Sequence, residues 1–148
     1  MKLLHTVAEM RAARAAFGPA FGFVPTMGAL HEGHLSLVRR AKPECGACAV
    51  SIFVNPTQFN DSADFSRYPR TLPTDLEALA PTGCDLVFAP DAAEMYPPGF
   101  AAKIDVGPAA LPLEGAMRPG HFSGVATVVA KLLNIVQPSR AYFGQKDA

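Results

Sequence analysis

The fold of this chain is decided by the stretch Phe23-Val24-Pro25-Thr26-Met27-Gly28-Ala29-Leu30-His31-Glu32-Gly33-His34. The residues just before the proline, 21 to 24, are apolar and predict a short buried strand. The residues from 34 to 41 carry apolar side chains at helical spacing and predict a helix with one buried face. His31 and His34 therefore lie where a strand ends and a helix begins.

This position is the one at which open α/β sheets bind phosphate groups. Backbone N–H groups are unpaired at a helix N-terminus, and the helix dipole is positive there. Gly33 lets a ligand approach the backbone closely. Imidazoles three residues apart share one side of the first turn and can donate N–H bonds to a phosphate. On this segment alone, two ordinary surface histidines at a helix start remain the alternative.

The rest of the chain alternates between predicted helices and strands. A capping box, Thr6-x-x-Glu9, opens a first helix that runs to about residue 16. Further strands are predicted at 47–54, 85–89, around 104–106 and at 141–143. Helices are predicted at 75–80 and from a cap at Ser123 to Val136, and residues 91–96 are predicted to form a single helical turn. This alternation predicts one domain over residues 1–148, an α/β fold with a doubly wound parallel sheet.

Three polar turns follow predicted strands of this sheet. They comprise residues 25–34, 55–60 and 144–147. Because the carboxyl ends of parallel strands meet at one edge of a sheet, we expect these turns to converge in space. The irregular segment 55–70 is too long for a tight turn, so we expect it to cover or line something. The sequence thus predicts one active site at the carboxyl edge.

Composition excludes several classes of protein. The 148 residues are 49% hydrophobic and 18% charged, with a formal net charge of zero, which is typical of a globular domain. No basic block indicates nucleic acid binding, and no apolar run predicts a membrane span or a signal peptide. A cytoplasmic protein is the expectation. Cys45 and Cys48 form a C-x-x-C without a second ligand pair, so we expect small buried thiols, with a zinc or redox site as the alternative.

Seven segments of the chain resemble one enzyme family. They are residues 25–34 (PTMGALHEGH), 54–59 (VNPTQF), 68–71 (YPRT), 95–97 (MYP), 113–115 (LEG), 118–122 (RPGHF) and 143–147 (FGQKD). In this order they are similar to pantothenate synthetase, the pantoate–β-alanine ligase family. One H-x-G-H pattern would be weak, whereas seven collinear segments across nearly the whole chain are very specific.

The resemblance implies a Rossmann-like fold of the H-x-G-H nucleotidyl transferase type and an ATP-dependent ligation in two steps. Pantoate would attack ATP to give pantoyl adenylate and pyrophosphate, and the amine of β-alanine would then displace AMP. The implied cofactor is ATP with Mg²⁺, and the implied assembly is a homodimer. The family also has a smaller C-terminal lid domain, before which this chain ends, so full turnover by the chain alone is in question.

The family's functional residues carry over position by position. His34 matches the proton donor, and His31 and Lys146 join it as catalytic candidates. The ATP-binding set implied by the resemblance is Met27, Gly28, Ala29, Leu30, His31, Glu32, Gly33, His34, Gly144, Gln145, Lys146 and Asp147. The set implied for pantoate and β-alanine is Gln58, Pro25, Thr26 and Asn55. No protein residue is expected to ligate a metal directly.

Several roles stay open at this point. Asp147 could bond a ribose hydroxyl, lie near the metal or cap a helix, and Asn55 could assist the substrate or only end a strand. Asp61, Asp64 and Asp75 are interpreted as loop and helix-start carboxylates without a metal-binding spacing. Two other functions compete: another H-x-G-H nucleotidyl transferase, and a nucleotide-binding domain without turnover. The segment 55–59 (NPTQF) argues against the first, because an unrelated transferase has no reason to carry it.

Overall fold

A computed structural model of the chain describes residues 1–56, 59, 62–97 and 121–144, with backbone alone for residues 62 and 121–124. Its strands are β1 (Lys2–Leu4), β2 (Gly22–Thr26), β3 (Cys48–Ile52), β4 (Leu86–Phe88) and β5 (Arg140–Ala141). Its helices are α1 (Val7–Arg14), α2 (Glu32–Cys45), α3 (Ser62–Arg67), α4 (Leu72–Leu79), α5 (Ala92–Met95) and α6 (His121–Val136), and a 3-10 turn, Ala80–Thr82, follows α4.

The five strands form one sheet in the order β1-β4-β3-β2-β5, and every pairing is parallel. From β2 the chain moves through β3 to β4 in one direction, whereas β5 pairs with the opposite side of β2. The strand order therefore reverses between β2 and β5. A crevice opens at such a reversal, outside the carboxyl ends of the strands. The predicted doubly wound parallel sheet is confirmed.

The central strands β2, β3 and β4 bury both of their faces, which explains their near-continuous apolar runs. Phe23, Ala49 and Phe88 face a core that includes Met10 of α1 and Leu132 of α6. The alternate positions Val24, Val50 and Val87 face a second core, which includes Val38 of α2 and Leu79 of α4. Among the described residues, helices thus cover both faces of the sheet, so a ligand site is expected at its carboxyl edge.

Local capping signals explain where several helices begin. The predicted capping box of α1 is present, because Thr6 Oγ1 accepts the Glu9 N–H and Glu9 Oε1 accepts the Thr6 N–H. The predicted turn at 91–96 contains α5, whose first turn is capped by Asp91. The N-terminus of α6 was predicted wrongly, since this helix already begins at His121 and Ser123 lies inside its first turn.

The structure also differs from the prediction in the length of α2 and in two elements that were not predicted. Helix α2 extends past Ala41 through Pro43 to Cys45, because Gly46 adopts a left-handed conformation and its N–H closes the last turn on the Lys42 carbonyl. The strand β1 and the helix α3 were not predicted, because two of the three residues of β1 are exposed and α3 lies in the segment that was interpreted as irregular. The strand expected around 104–106 lies outside the described residues.

The cysteines are buried free thiols, as expected. Cys45 ends α2 and contacts the hydroxyl of Tyr142, and Cys48 begins β3. A hydrogen bond with Cys48, together with burial, raises the pKa of the Cys84 thiol. Within the described ranges, no helix is long and apolar enough to cross a bilayer.

Candidate active site

The turn after β2 is fixed to the neighbouring strand by Thr26. Its hydroxyl donates to the Ser51 carbonyl of β3 at 2.9 Å and accepts the Gly28 N–H at 3.1 Å. The chain then passes through two left-handed residues, Gly28 with φ 83° and Ala29 with φ 49°. Left-handed backbone is readily adopted by glycine and is strained for alanine, so Ala29 needs external support.

That support comes from Asp75, in the first turn of α4. Its carboxylate accepts the Ala29 N–H at 3.1 Å on Oδ2 and the Leu30 N–H at 2.9 Å on Oδ1. The Thr71 hydroxyl lies 3.3 Å from both oxygens. The residue is only 2% exposed. A carboxylate this deeply buried is stabilised by the three donors and by the positive end of the α4 dipole.

The interpretation of Asp75 as an ordinary helix-start carboxylate was therefore incomplete. A signal was present in the sequence, because Asp75 occupies the i+3 position of the apolar stripe formed by Leu72, Leu76 and Leu79. An aspartate on the buried face of a helix needs a partner inside the fold. The sequence could not identify that partner, since the Gly28–Leu30 turn is more than 40 residues away.

His31 and His34 form a reciprocal cap at the start of α2. His31 is the N-cap residue, and its Nδ1 accepts the Gly33 N–H at 3.0 Å. Nδ1 of His34 accepts the His31 N–H at 3.2 Å. The ring centroids are 4.0 Å apart with an interplanar angle of 33°. The two imidazoles thus share one side of the first turn, as expected.

This network assigns the tautomer of each ring. A nitrogen that accepts an N–H bond carries no proton, so both neutral imidazoles hold their proton on Nε2. Protonation at Nδ1 would place N–H against N–H and break the caps. Each ring therefore keeps Nε2–H as its donor, while Nδ1 is committed to the helix N-terminus.

One expectation about phosphate binding was wrong for five of the backbone N–H groups at this turn. The N–H groups of residues 28, 29, 30, 31 and 33 do not point outward unpaired, because each donates to a side chain of the chain itself: Thr26, Asp75, His34 or His31. Side chains satisfy these amides because a bent, half-buried turn cannot leave them without partners. Donors for a phosphate at this turn are therefore expected from the imidazoles rather than from these amides.

Asn55 follows β3 at the same edge of the sheet and is fully buried. The Tyr96 hydroxyl donates to Asn55 Oδ1 at 2.9 Å, which assigns the orientation of the amide. The Tyr96 ring lies 6.2 Å from Phe53 and 5.7 Å from Lys131 Nζ. Partial burial lowers the pKa of Lys131. Asn55 thus belongs to a packed polar group and does more than end the strand.

A cavity of about 290 Å³ opens at the carboxyl edge beside the turn. Met27, Gly28 and Phe53 line it from the sheet, and Phe65 and Arg70 line it from the segment 55–70. The expectation that this segment covers or lines something is confirmed for those residues. The Arg70 guanidinium stacks over the Phe65 ring at 4.8 Å and donates to the Tyr68 carbonyl at 2.9 Å.

The structure brings together many of the predicted site residues. Pro25 and Thr26 end β2, residues 27–34 form the turn and the start of α2, Asn55 follows β3, and Gly144 follows β5. The strands β3 and β5 flank β2, so these groups share the carboxyl edge. Gln58, Gln145, Lys146 and Asp147 lie outside the described residues.

Comparison with protein families gives a match over almost the whole chain. The family model described as pantoate-beta-alanine ligase matches residues 2–148. The chain belongs to this family. It is 66% identical to the pantothenate synthetase of Roseiflexus castenholzii, over 100% of this chain and 53% of that protein. The resemblance found in the seven segments is thus confirmed at family level.

Solved structures of the family superpose on the whole fold. The pantothenate synthetase of Thermus thermophilus matches with a TM-score of 0.91 and 55% identity, covering 99% of this chain and 53% of its own. The pantoate-beta-alanine ligase of Francisella tularensis, complexed with beta-gamma ATP and beta-alanine, matches with a TM-score of 0.90 and 43% identity, covering 96% and 56%. The chain spans about half the length of the relatives it matches.

Proposed function

We propose that this chain carries the pantoate-activating half of a pantoate–β-alanine ligase. In the first step a carboxylate oxygen of pantoate forms a bond to the α-phosphorus of ATP. The bond from that phosphorus to the bridging oxygen breaks, and pyrophosphate leaves. In the second step the amine of β-alanine attacks the acyl carbon, loses a proton and displaces AMP. The paired imidazoles at the reversal of the strand order are the observation that carries the proposal.

The first step needs alignment and charge stabilisation rather than a base. A carboxylate is already ionised at neutral pH, so no proton has to be removed from it. Negative charge shifts onto the phosphate oxygens and the leaving pyrophosphate, and donors fixed in advance stabilise it. In the proposal, His34 and His31 donate from Nε2 to these oxygens, and Lys146 adds a compact cation. The turn from Met27 to His34 and the segment Gly144–Asp147 hold the nucleotide.

Pantoate is assigned to the cavity beside the turn. Its volume of about 290 Å³ is sufficient for a small hydroxy acid, and Phe53 and Met27 supply apolar walls for the gem-dimethyl group. Pro25 and Thr26 shape the end of β2, Asn55 is held by Tyr96, and Gln58 offers both a donor and an acceptor for the hydroxy acid. The same amides are proposed to receive β-alanine.

In this proposal, magnesium is part of the nucleotide substrate. Mg²⁺ keeps several waters and binds phosphate oxygens, so it enters with ATP. Across the part of the chain that the structure describes, no three His, Cys, Asp or Glu side chains form a metal-binding group. Both oxygens of Asp75 are also engaged by backbone N–H groups.

A cytoplasmic location and a homodimer complete the proposal. Free, buried thiols at Cys45, Cys48 and Cys84 are typical of a reducing compartment. The dimer rests on the family resemblance, and sedimentation equilibrium at several concentrations tests it.

Pantoate-dependent exchange of labelled pyrophosphate into ATP tests the proposed chemistry. Exchange by the 148-residue chain requires formation and reversal of an acyl adenylate, and it should disappear when pantoate is omitted. If MgATP binds without exchange, the chain is a nucleotide-binding domain whose catalysis depends on further residues. Exchange that is driven by a different acid, and not by pantoate, would identify another H-x-G-H transferase.

We expect Tyr96→Phe to weaken pantoate binding selectively. The substitution keeps the ring against Phe53 but removes the O–H bond that orients Asn55. Loss of one such bond corresponds to a rise of about 3- to 10-fold in the pantoate KM of the exchange reaction, with the ATP dependence unchanged.

Tyr142→Phe is the matched control for this prediction. It removes a hydroxyl that donates to Glu44 Oε1 at 2.5 Å, beside the carboxyl end of α2 and away from the cavity. The pantoate KM should not respond to it. Equal pantoate KM values for Tyr96→Phe and the unmodified chain would contradict the role given to the Tyr96–Asn55 bond.

A further inference from the structure

The hydrogen bonds described for Asp75 go to Ala29, Leu30 and Thr71 and not to the histidines, yet they hold the two residues that precede His31. The Asp75 oxygens accept from Ala29 and Leu30, and the next N–H along the chain, that of His31, donates to His34 Nδ1. The direction of the His31 N–H depends on the peptide plane between residues 30 and 31. Holding the backbone of Leu30 in place therefore also holds the hydrogen bond from the His31 N–H to His34 Nδ1.

The carboxylate suits this role better than its amide analogue. Two N–H donors approach from the turn, one to each oxygen, and both oxygens can accept. Asparagine would offer one acceptor and would place its NH₂ group against the other N–H. The left-handed conformation of Ala29 would then lose the bond that holds it.

We propose that Asp75 is a positioning residue for catalysis, which holds the Gly28–Leu30 turn so that both imidazoles stay in the Nε2–H tautomer with their donors at the nucleotide site. The relevance of this geometry to ATP rests on the proposed function. The tautomers themselves are a property of the free protein and can be measured without any ligand.

His5 supplies an internal reference for that measurement. Its Nδ1 lies 2.9 Å from the Ala89 carbonyl oxygen, which can only accept. His5 therefore carries its proton on Nδ1, the opposite tautomer from His31 and His34. Two-bond ¹H–¹⁵N correlation spectra of the imidazoles distinguish the two forms, and single substitutions assign the four histidines.

The test compares Asp75→Asn with Asp85→Asn. Asp85 also caps the sheet, since its Oδ2 accepts the Cys48 N–H at 2.9 Å and pairs with Lys42 Nζ at 2.8 Å, but it does so at the amino edge. Both variants should lower the melting temperature. Only Asp75→Asn should give mixed tautomers at His31 and His34, and only this variant should weaken MgATP binding, by about tenfold or more in calorimetric titration.

Asp75→Ser is a second variant, for the case in which Asp75→Asn does not fold. Serine is neutral and too short to reach the turn, and its hydroxyl rotates, so it places no fixed donor against Ala29 or Leu30. The same tautomer mixture is expected in it. A folded Asp75→Asn or Asp75→Ser protein with unchanged tautomers and unchanged MgATP affinity would overturn the inference. If the unmodified chain does not bind MgATP, the proposed function fails, and the tautomer spectra still decide the role of Asp75.

Discussion

Replacing His34 by Glu is expected to lower pantoate-dependent pyrophosphate exchange by about 100- to 1,000-fold, the range associated with loss of one fixed donor to a developing charge. Glutamate at the third position of a helix can accept the N-cap N–H through a carboxylate oxygen and, unlike glutamine, has no N–H donor to replace that of the imidazole. The bond from the His31 N–H is thereby preserved, whereas the Nε2–H donor is lost. The rate should fall with little change in melting temperature.

His34→Ala separates the two roles of the residue. Alanine removes the donor and the cap, so exchange should fall to the same extent, and the free energy of unfolding should also fall by about 1 kcal/mol. His5→Glu is the matched control, since His5 is exposed and its ring bonds only the Ala89 carbonyl among the contacts described. Exchange by His34→Glu at the rate of the unmodified chain would contradict the proposed role of His34.

The second large effect is expected from Gly28→Ala, which should lower the free energy of unfolding by about 2–4 kcal/mol. Gly28 has φ 83°, and an added Cβ would lie 3.1 Å from Ile52 Cγ2 and 3.2 Å from Asp75 Oδ2. The substitution is thus strained in its backbone and crowded by a β3 side chain and by the carboxylate that holds the turn. Denaturant unfolding measures the change, and MgATP titration should show weaker binding.

Gly46→Ala isolates the steric part of this effect. Gly46 also has φ 83°, but among the described residues other than its own neighbours along the chain no atom lies within 4 Å of the position that an added Cβ would take. Gly46→Ala should therefore lower the free energy of unfolding only by the backbone strain, about 1 kcal/mol, and should leave MgATP binding unchanged. Equal losses of stability in the two variants would show that crowding by Ile52 and Asp75 contributes nothing at Gly28.

The fold was predictable to the extent that local patterns specify it. The apolar runs that became β2, β3 and β4 are buried on both faces, and such runs are readable from composition alone. The capping box of α1 is also a local signal. In contrast, β1 is three residues long at the sheet edge, and its pairing with β4 joins segments more than 80 residues apart. No local pattern encodes such a pairing.

The sequence predicted where the two histidines lie in the fold, but not the hydrogen bonds around them. The sequence placed His31 and His34 at a strand-to-helix junction, where the structure has them. It also led to an expectation of free backbone N–H groups, whereas five of them are bound by side chains. The spacing of the histidines could not show whether Nδ1 or Nε2 faces a ligand.

The sequence by itself determined the alternation of strands and helices, the junction that carries the histidines, and the seven segments that mark the family. These follow from side-chain periodicity and from short motifs, which need no knowledge of distant partners. Only the tertiary structure decided that Asp75 holds Ala29 and Leu30 and that Tyr96 orients Asn55. Both are contacts between residues more than 40 positions apart, and a buried polar group takes whichever partner the packing of the sheet and helices brings to it.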